Sequence, residues 1–429
     1  VIDSSFSKER NQVYSEIPYF YPDLEKEEYA LLDIHVQTKE YWEKVRQAAR
    51  EVGLIFEKIA PLLRTLEDST LLQLGFPKET LAYIKVKSFP QEYIIGRLDF
   101  VINGSSIKLL EFNADTPTFI KETFHANSFI CSHFNLENPN EECRQLLHME
   151  MRKAIASSWA ALNKPGTPKI VFTSHDDHIE DKWTTRYLQE QLDLPSEYVS
   201  LDNLRIVTDD VTEDGDILQA GLYTPLGERI DILYRQTYPV EHLVNDKDPI
   251  SGDDVGQALM KLVEQGHLSI LNPPSAFLLQ SKAVQALIWG LHEEQNFFTD
   301  SEHAIIQQYF LPTYLEPDVF IERQKPFVKK PCFGREGDTV EIFNGLGDLT
   351  MEETMKTYSD TLPIFQEFCP LPVSNITTTK GTKEAHLMVG CFLINNSAGA
   401  IGIRAGSEIT NNESYFLPVG IQRKDREDD

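Results

Sequence analysis

The chain is 429 residues long, more than one hydrophobic core usually serves, so two or three packed domains are expected. Hydrophobic residues make up 41% and charged residues 25%, ordinary globular usage that excludes long disorder. A formal net charge of -27 repels nucleic-acid phosphates and anionic lipid, which argues against either as a partner, and it attracts cationic small molecules.

The five cysteines, Cys131, Cys143, Cys332, Cys369 and Cys391, are dispersed and form no Cys-x-x-Cys pair, as expected of reduced thiols in a cytoplasmic protein. No apolar run approaches the roughly 20 residues that span a bilayer, and the first residues lack a leader pattern. In chain order, Leu32, Val36, Val45, Ala49 and Val52 recur at helical spacing after Asp23, a candidate N-cap, so residues 24–90 read as mostly helical. Tyr41 and Trp42 in that stretch read as core. A hairpin follows from residue 97. A strand over 168–173, a helix over 179–192 and a strand over 230–234 then suggest an α/β layer across 166–270. Asn272-Pro273-Pro274 closes that layer, because consecutive prolines stop regular structure. A helix from about Ser281, a strand at 319–320, a strand ending at Lys329-Lys330-Pro331 and further strands to about Val419 complete the expectation.

The hairpin carries the chemistry. Two apolar-containing runs flank Asn103-Gly104, a turn signal, and strand alternation places Arg97 and Asp99 on one face and Glu111 with Asn113 on one face of the return. With a loop of Gly104-Ser105-Ser106, Asp99 lies across from Glu111 and Arg97 across from Asn113. A two-residue loop would send the carboxylates to opposite faces unless a bulge restored the parity. Facing carboxylates repel unless a cation lies between them, and magnesium, which prefers carboxylate and amide oxygens, is the natural occupant. The alternative is a surface hairpin whose charges face water.

The string Glu111-Phe112-Asn113-Ala114-Asp115-Thr116-Pro117-Thr118, preceded by Arg97-Leu98-Asp99, resembles the signature of the glutathionylspermidine synthase family. The resemblance continues through Asp177-His178-Ile179-Glu180-Asp181-Lys182-Trp183, Ser281-Lys282, Val328-Lys329-Lys330-Pro331, Phe365-Gln366-Glu367-Phe368 and Ile403-Arg404-Ala405-Gly406. It implies an α/β (α+β) chain with a permuted ATP-grasp fold. The parts would be an N-terminal mostly helical region (1–96), a metal-binding hairpin part (97–165), an inserted pre-ATP-grasp-like α/β domain (166–270) and a nucleotide-binding part (271–422). It implies Asp99, Glu111 and Asn113 as magnesium ligands and Arg97 facing the transferred phosphate. Lys282, Lys330, Gly334 and Gly337 would meet the triphosphate of ATP, while Gln366, Glu367 and Phe368 line the adenine pocket through backbone groups with loosely specified side chains. Arg404, Thr116, Thr118, Glu180, Asp181 and Thr237 would face the substrates.

The activity implied is an acid–amine ligase that uses ATP and Mg2+ to join a carboxylic acid, glutathione or peptide-like, to a polyamine or amino acid through an acyl phosphate. Glu180-Asp181 suits a cationic amine or, equally, a helix start. His175-Asp176-Asp177-His178 reads as a polar loop rather than a metal cluster, Lys329 as pointing away from Lys330, and Cys332 as packing. Bifunctional family members carry an amidase domain ahead of the synthetase, and with no cysteine before Cys131 the expectation is a stand-alone synthetase. The matches weaken after Thr377, which leaves the substrates open. A nucleotide- or metabolite-binding protein without turnover is the alternative, and an amide hydrolase ranks last for want of a nucleophile with its base.

Overall fold

A computed structural model describes residues 4–213, 216–335 and 337–422, so Glu336 of the glycine turn lies outside the described residues. The long helix of the N-terminal region begins later than its spacing suggests. Helix α1 (Ser4–Ser15) is followed by short strands at Asp23–Leu24, Glu27–Glu28 and His35–Gln37, and only then by the long helix α2 (Lys39–Thr65). Thr38, not Asp23, is the N-cap: its hydroxyl accepts the Tyr41 N–H at 3.2 Å. Leu32 and Val36 fall outside the helix because His35–Gln37 pairs in parallel with Val419–Ile421 far along the chain, a tertiary choice that local spacing does not announce. Within α2 the spacing holds, and Trp42, Val45, Ala49, Val52, Phe56 and Ile59 are fully buried. Each large apolar side chain so removed from water contributes about 1.5–3 kcal/mol.

That helix packs on one face of a six-stranded antiparallel sheet. The sheet contains β1 (Ile95–Asn103) and β2 (Ser106–Asn113), the predicted hairpin, and runs in the order Tyr415–Leu417, then Ser397–Gly406, Gly381–Ile394, β1 and β2. The strand Val373–Thr378 pairs with the first half of Gly381–Ile394. On the opposite face, Phe119, Phe124, Phe392 and Phe416 pack with Met151 and Ala154 of helix α3 (Cys143–Leu162), and this second core continues into Ile170 and Phe172.

The α/β layer is a four-stranded parallel sheet ordered Ser269–Leu271, Ile232–Gln236, β3 (Ile170–Ser174) and Glu197–Tyr198, with helix α4 (Ile179–Gln191) packed on it. Further on, β4 (Phe327–Pro331) and β5 (Pro363–Glu367) lie at the centre of a five-stranded antiparallel sheet beside helix α5 (Lys282–Glu293), whose N-cap is Ser281. Val319 and Phe320, expected as a strand, lie in a short helix, Asp318–Glu322, that buries Phe320 against Phe327 at a ring separation of 5.5 Å. Two β-prone residues are too few to outweigh a turn begun by Pro317 and Asp318. Among the described residues no helix is long and apolar enough to cross a membrane.

Candidate active site

The hairpin places its polar groups together by the second of the two routes open to it. Asn103 pairs with Ser106, so the loop is Gly104-Ser105 and not the three-residue one, and Gly104 takes the φ of +60 that the tight turn needs. That loop alone would put Asp99 and Glu111 on opposite faces. Phe100 pairs with Leu109 whereas Asp99 pairs with Glu111, so Leu110 is an extra residue in β2, and this bulge shifts the register by one. Arg97 then lies opposite Asn113.

The four side chains touch. Arg97 donates from Nε to Asp99 Oδ1 at 2.7 Å and from Nη2 to Oδ2 at 2.9 Å, a bidentate pair that is almost wholly buried. Its Nη1 donates to the Thr118 carbonyl at 2.9 Å. Asn113 Nδ2 donates to Asp99 Oδ2 at 3.0 Å and to Glu111 Oε1 at 3.3 Å. The other Glu111 oxygen lies 3.0 Å from Lys282 Nζ. Burial raises the Glu111 pKa, but Lys282, Lys330 and Arg97 more than offset it and hold the carboxyl at about 2. Asp99 is pushed up by burial against the pull of Arg97. Sequence reading missed Gly390 on the neighbouring strand: a Cβ there would stand 3.2 Å from Arg97 Cδ and 3.4 Å from Asp99 Oδ1, so glycine leaves room for the pair.

Beside this face opens a cleft continuous with solvent. Glu111, Lys282, Lys330, Gly334, Gly337, Gln366, Glu367 and Phe368 all line it. Lys330 Nζ donates to Gln366 Oε1 at 2.8 Å, and burial lowers its pKa to about 8 although Glu111 pulls the other way. Lys329 points elsewhere, to Glu341 at 2.9 Å. Gly337 has a φ of +71, and a Cβ there would meet the Thr410 carbonyl at 2.6 Å, so the turn closes tightly on that loop. Gln366 departs from expectation, because its side chain is buried and fixed by Lys330, Gln285 and Thr313 rather than loosely specified. Phe365 turns away from the cleft into the Phe320 and Phe327 cluster. Unforeseen from sequence are two apolar clusters that flank the cleft, Val328, Ile342 and Ile409 in one and Leu371 and Met388 in the other.

The residues expected at the substrates are brought together less completely. Thr118 meets Arg97, and Thr116 is buried with its carbonyl accepting from Gln236. Arg404 donates to the Asn411 carbonyl at 2.9 Å and is felt electrostatically by both Asp99 and Glu180. Thr237 does not reach the cleft; its buried hydroxyl accepts from Arg235 and donates to the Tyr238 carbonyl. Asp181 turns to His178, with Oδ2 3.1 Å from Nδ1. Half-buried Glu180 faces a second acid unmarked in sequence, Glu122, which is wholly buried and accepts from the Tyr29 hydroxyl at 2.8 Å. Burial, reinforced by Glu122 and Asp181, raises the Glu180 pKa to about 8, and burial raises that of Glu122 as well. Tyr21, hydrogen-bonded to Thr184 at 3.2 Å, completes this cluster.

Half of the Asp115-containing motif is a fastening. Asp115 forms a fully buried ion pair with Arg235 and accepts the Val240 N–H at 2.8 Å. Asn272, the residue before the two prolines, bonds both the start of β1 and the backbone of Ala114 and Asp115, tying hairpin to α/β layer.

Among the described residues no three His, Cys, Asp or Glu side chains are grouped to hold a metal, which includes the 175–178 loop, where His178 caps α4. The hairpin offers two carboxylates and one amide, and turning the Asn113 amide over would present its oxygen, so the donor set suits a hard ion that keeps some ligands from elsewhere.

Comparison with known proteins gives the following likenesses. The family described as glutathionylspermidine synthase preATP-grasp matches residues 2–422. A Haemophilus influenzae protein provisionally named an acid–amine ligase is 21% identical over 350 residues, 76% of this chain and 74% of its own. The trypanothione synthetase of Crithidia fasciculata is 20% identical over 351 residues, 78% of this chain but only 48% of its own length. Among solved structures, a glutathione synthetase like-effector of Globodera pallida in apoform superimposes with a TM-score of 0.61 at 10% identity, covering 97% of this chain and 96% of that one, a likeness of fold.

Proposed function

Because the chain belongs to the glutathionylspermidine synthase family, we propose that it is an ATP-dependent acid–amine ligase with a permuted ATP-grasp fold. In this reading the two antiparallel sheets are the lobes that hold the nucleotide, and the chain divides into parts 1–96, 97–165, 166–270 and 271–422. The observation that carries the proposal is the convergence of Arg97, Asp99, Glu111 and Asn113 on one face, joined through Lys282 to the cleft of Lys330 and Gly334.

A carboxylate is a poor electrophile at neutral pH. Transfer of the γ-phosphoryl group of ATP to one of its oxygens releases ADP and gives an acyl phosphate, and attack of a neutral amine on the carbonyl then expels phosphate and leaves an amide. Such chemistry asks the protein for positioning and charge neutralisation rather than for a nucleophile. Lys282 and Lys330 hold triphosphate oxygens, and Arg97, fixed by Asp99 and Thr118, faces the transferring group. Asp99, Glu111 and Asn113 would hold magnesium, which when bound would supply further neutralisation of the phosphates. Arg404 grips the acid, which is glutathione or peptide-like, and the Glu122 and Glu180 side receives the ammonium of a polyamine or amino acid. The test is ADP release that depends on adding both an acid and an amine, followed by mass spectrometry of the amide. ADP that appears equally without any amine would overturn the assignment.

One observation favours a second reading, nucleotide binding without turnover. Arg97 engages both oxygens of Asp99, and Lys282 engages Glu111, so the protein's own cations already balance this face. Binding of ATP with no ADP across a broad panel of acids and amines would select it.

A further inference from the structure

The ligase reading above leaves one chemical requirement unassigned. An alkylamine reaches the site as an ammonium ion at neutral pH, and it attacks a carbonyl only after losing a proton. The cations around the phosphates cannot take that proton, so its acceptor must stand on the side where the amine enters.

Glu122 has the properties of that acceptor. Its Oε1 accepts the Tyr29 hydroxyl at 2.8 Å. Its Oε2 is buried with no hydrogen-bond partner among the described residues, because the neighbouring Tyr21 hydroxyl is turned to Thr184 at 3.2 Å. The charged and titratable groups that face it are Tyr21 and Tyr29 from the N-terminal segment, Glu180 from α4, and Lys121, which donates instead to the Tyr19 carbonyl at 2.7 Å. A wholly buried carboxylate with one bare oxygen is costly while charged, and a proton removes that cost. Burial accordingly raises the Glu122 pKa.

Glu122 is sealed from solvent, so the amine needs an intermediary to reach it. Tyr29 is half-buried and stands between the two sides of the site: it bonds Glu122, and Arg97, which faces the transferring phosphoryl in the reading above, feels it electrostatically. A phenol hydroxyl can accept one proton while donating its own.

We propose that Tyr29 relays a proton from the incoming ammonium to Glu122, an assignment that rests on the ligase reading above. The ammonium passes its proton to Tyr29 Oη as the Tyr29 proton moves to Glu122 Oε1, which leaves a neutral amine and a neutral carboxyl. The amine nitrogen then bonds to the carbonyl carbon of the acyl phosphate. The bond from that carbon to the phosphate oxygen breaks, and the phosphate leaves with the electron pair and takes the second nitrogen proton. Tyr29 touches the substrate, and Glu122 acts through it.

Amide formation by the full chain with ATP, magnesium and glutathione tests the relay, with spermidine or hydroxylamine as the nucleophile. Hydroxylamine is already neutral at neutral pH and needs no acceptor. Tyr29→Phe keeps the ring and Glu122→Gln keeps the side-chain shape. Each is expected to lower kcat with spermidine about a hundredfold and with hydroxylamine by less than about threefold. The spermidine deficit is expected to narrow as pH is raised from about 7 to about 9, where more of the amine is neutral in solution. Equal losses with both nucleophiles would make the pair a structural contact, and wild-type kcat with spermidine in both variants would remove the relay. Either result overturns the inference and leaves the ligase reading in place. Release of no ADP by wild type with either nucleophile would remove the ligase reading, and this inference with it.

Discussion

Two acidic regions lie within electrostatic reach of Arg404, and they are neutralised in opposite ways. On the hairpin, Asp99 and Glu111 are matched by Arg97, Lys282 and Lys330, and Glu111 stays ionised down to about pH 2. In the other region, Glu122 meets the Tyr29 hydroxyl and lies in the field of Glu180, and burial raises both pKa values, that of Glu180 to about 8. A carboxylate kept charged by fixed cations is prepared for a polyanion that arrives with its own metal. A carboxyl kept neutral by a proton is prepared to exchange that proton for an arriving cation. The contrast between these two regions predicts which end of the reaction each serves.

The sharpest way to break the contrast is Glu111→Gln. Removing the charge while keeping the shape should cut magnesium-dependent ADP formation about a hundredfold to a thousandfold, with unchanged circular dichroism, and near-wild-type turnover would refute the hairpin assignment. A control comes from a third acid, Asp115, whose pair with Arg235 is fully buried. Arg235→Met leaves that carboxylate unpaired and should cost about 3–5 kcal/mol of stability in urea unfolding, irrespective of nucleotide. Lys330→Met should do the reverse. It should weaken ATP binding about tenfold to a hundredfold in calorimetry, yet alter stability by less than about 1 kcal/mol, because burial already disfavours the lysine charge and lowers its pKa to about 8.

Much of the hairpin region was legible because strand parity is a hard constraint: Asp99 and Glu111 share a face only with an odd loop or a bulge. Which of the two applies was not legible, since Gly104-Ser105 and the extra Leu110 satisfy parity as well as a longer loop does. Val319 and Phe320 misled because two β-prone residues in a row carry less information than the Pro317-Asp318 turn before them. Leu32 and Val36 misled because strand pairing to Val419–Ile421 overrode a spacing that continues into α2. Glu180 carried a sequence signal but its partners Glu122, Tyr21 and Tyr29 did not, as the cluster draws on three separate segments that only the completed fold brings together.

That cluster yields the smallest effect and the most specific one. Glu180 has an ordinary pKa of 4.5 that the fold raises to about 8, so the folded state binds the proton more tightly than the unfolded chain does. The resulting stabilisation is complete below the ordinary value and is lost as pH rises through about 8, where folding must accommodate a buried negative charge. Because Glu122 shares the proton field, the slope belongs to the pair and not to either residue alone. Glu180→Gln removes the ionisation, so its stability should match wild type near pH 4.5 and exceed it near pH 8. The expected gain at the upper end is about 1–2 kcal/mol, discounted for the solvent that reaches a half-buried group. Thermal melts of both proteins across this range measure it. A cationic amine that occupies the cluster should rescue wild type at the high-pH end by replacing the proton, and should do little for Glu180→Gln. Parallel melting curves with and without spermidine in the two proteins would mean that these carboxyls are a structural acid pair, and the contrast with the hairpin would then have no functional content.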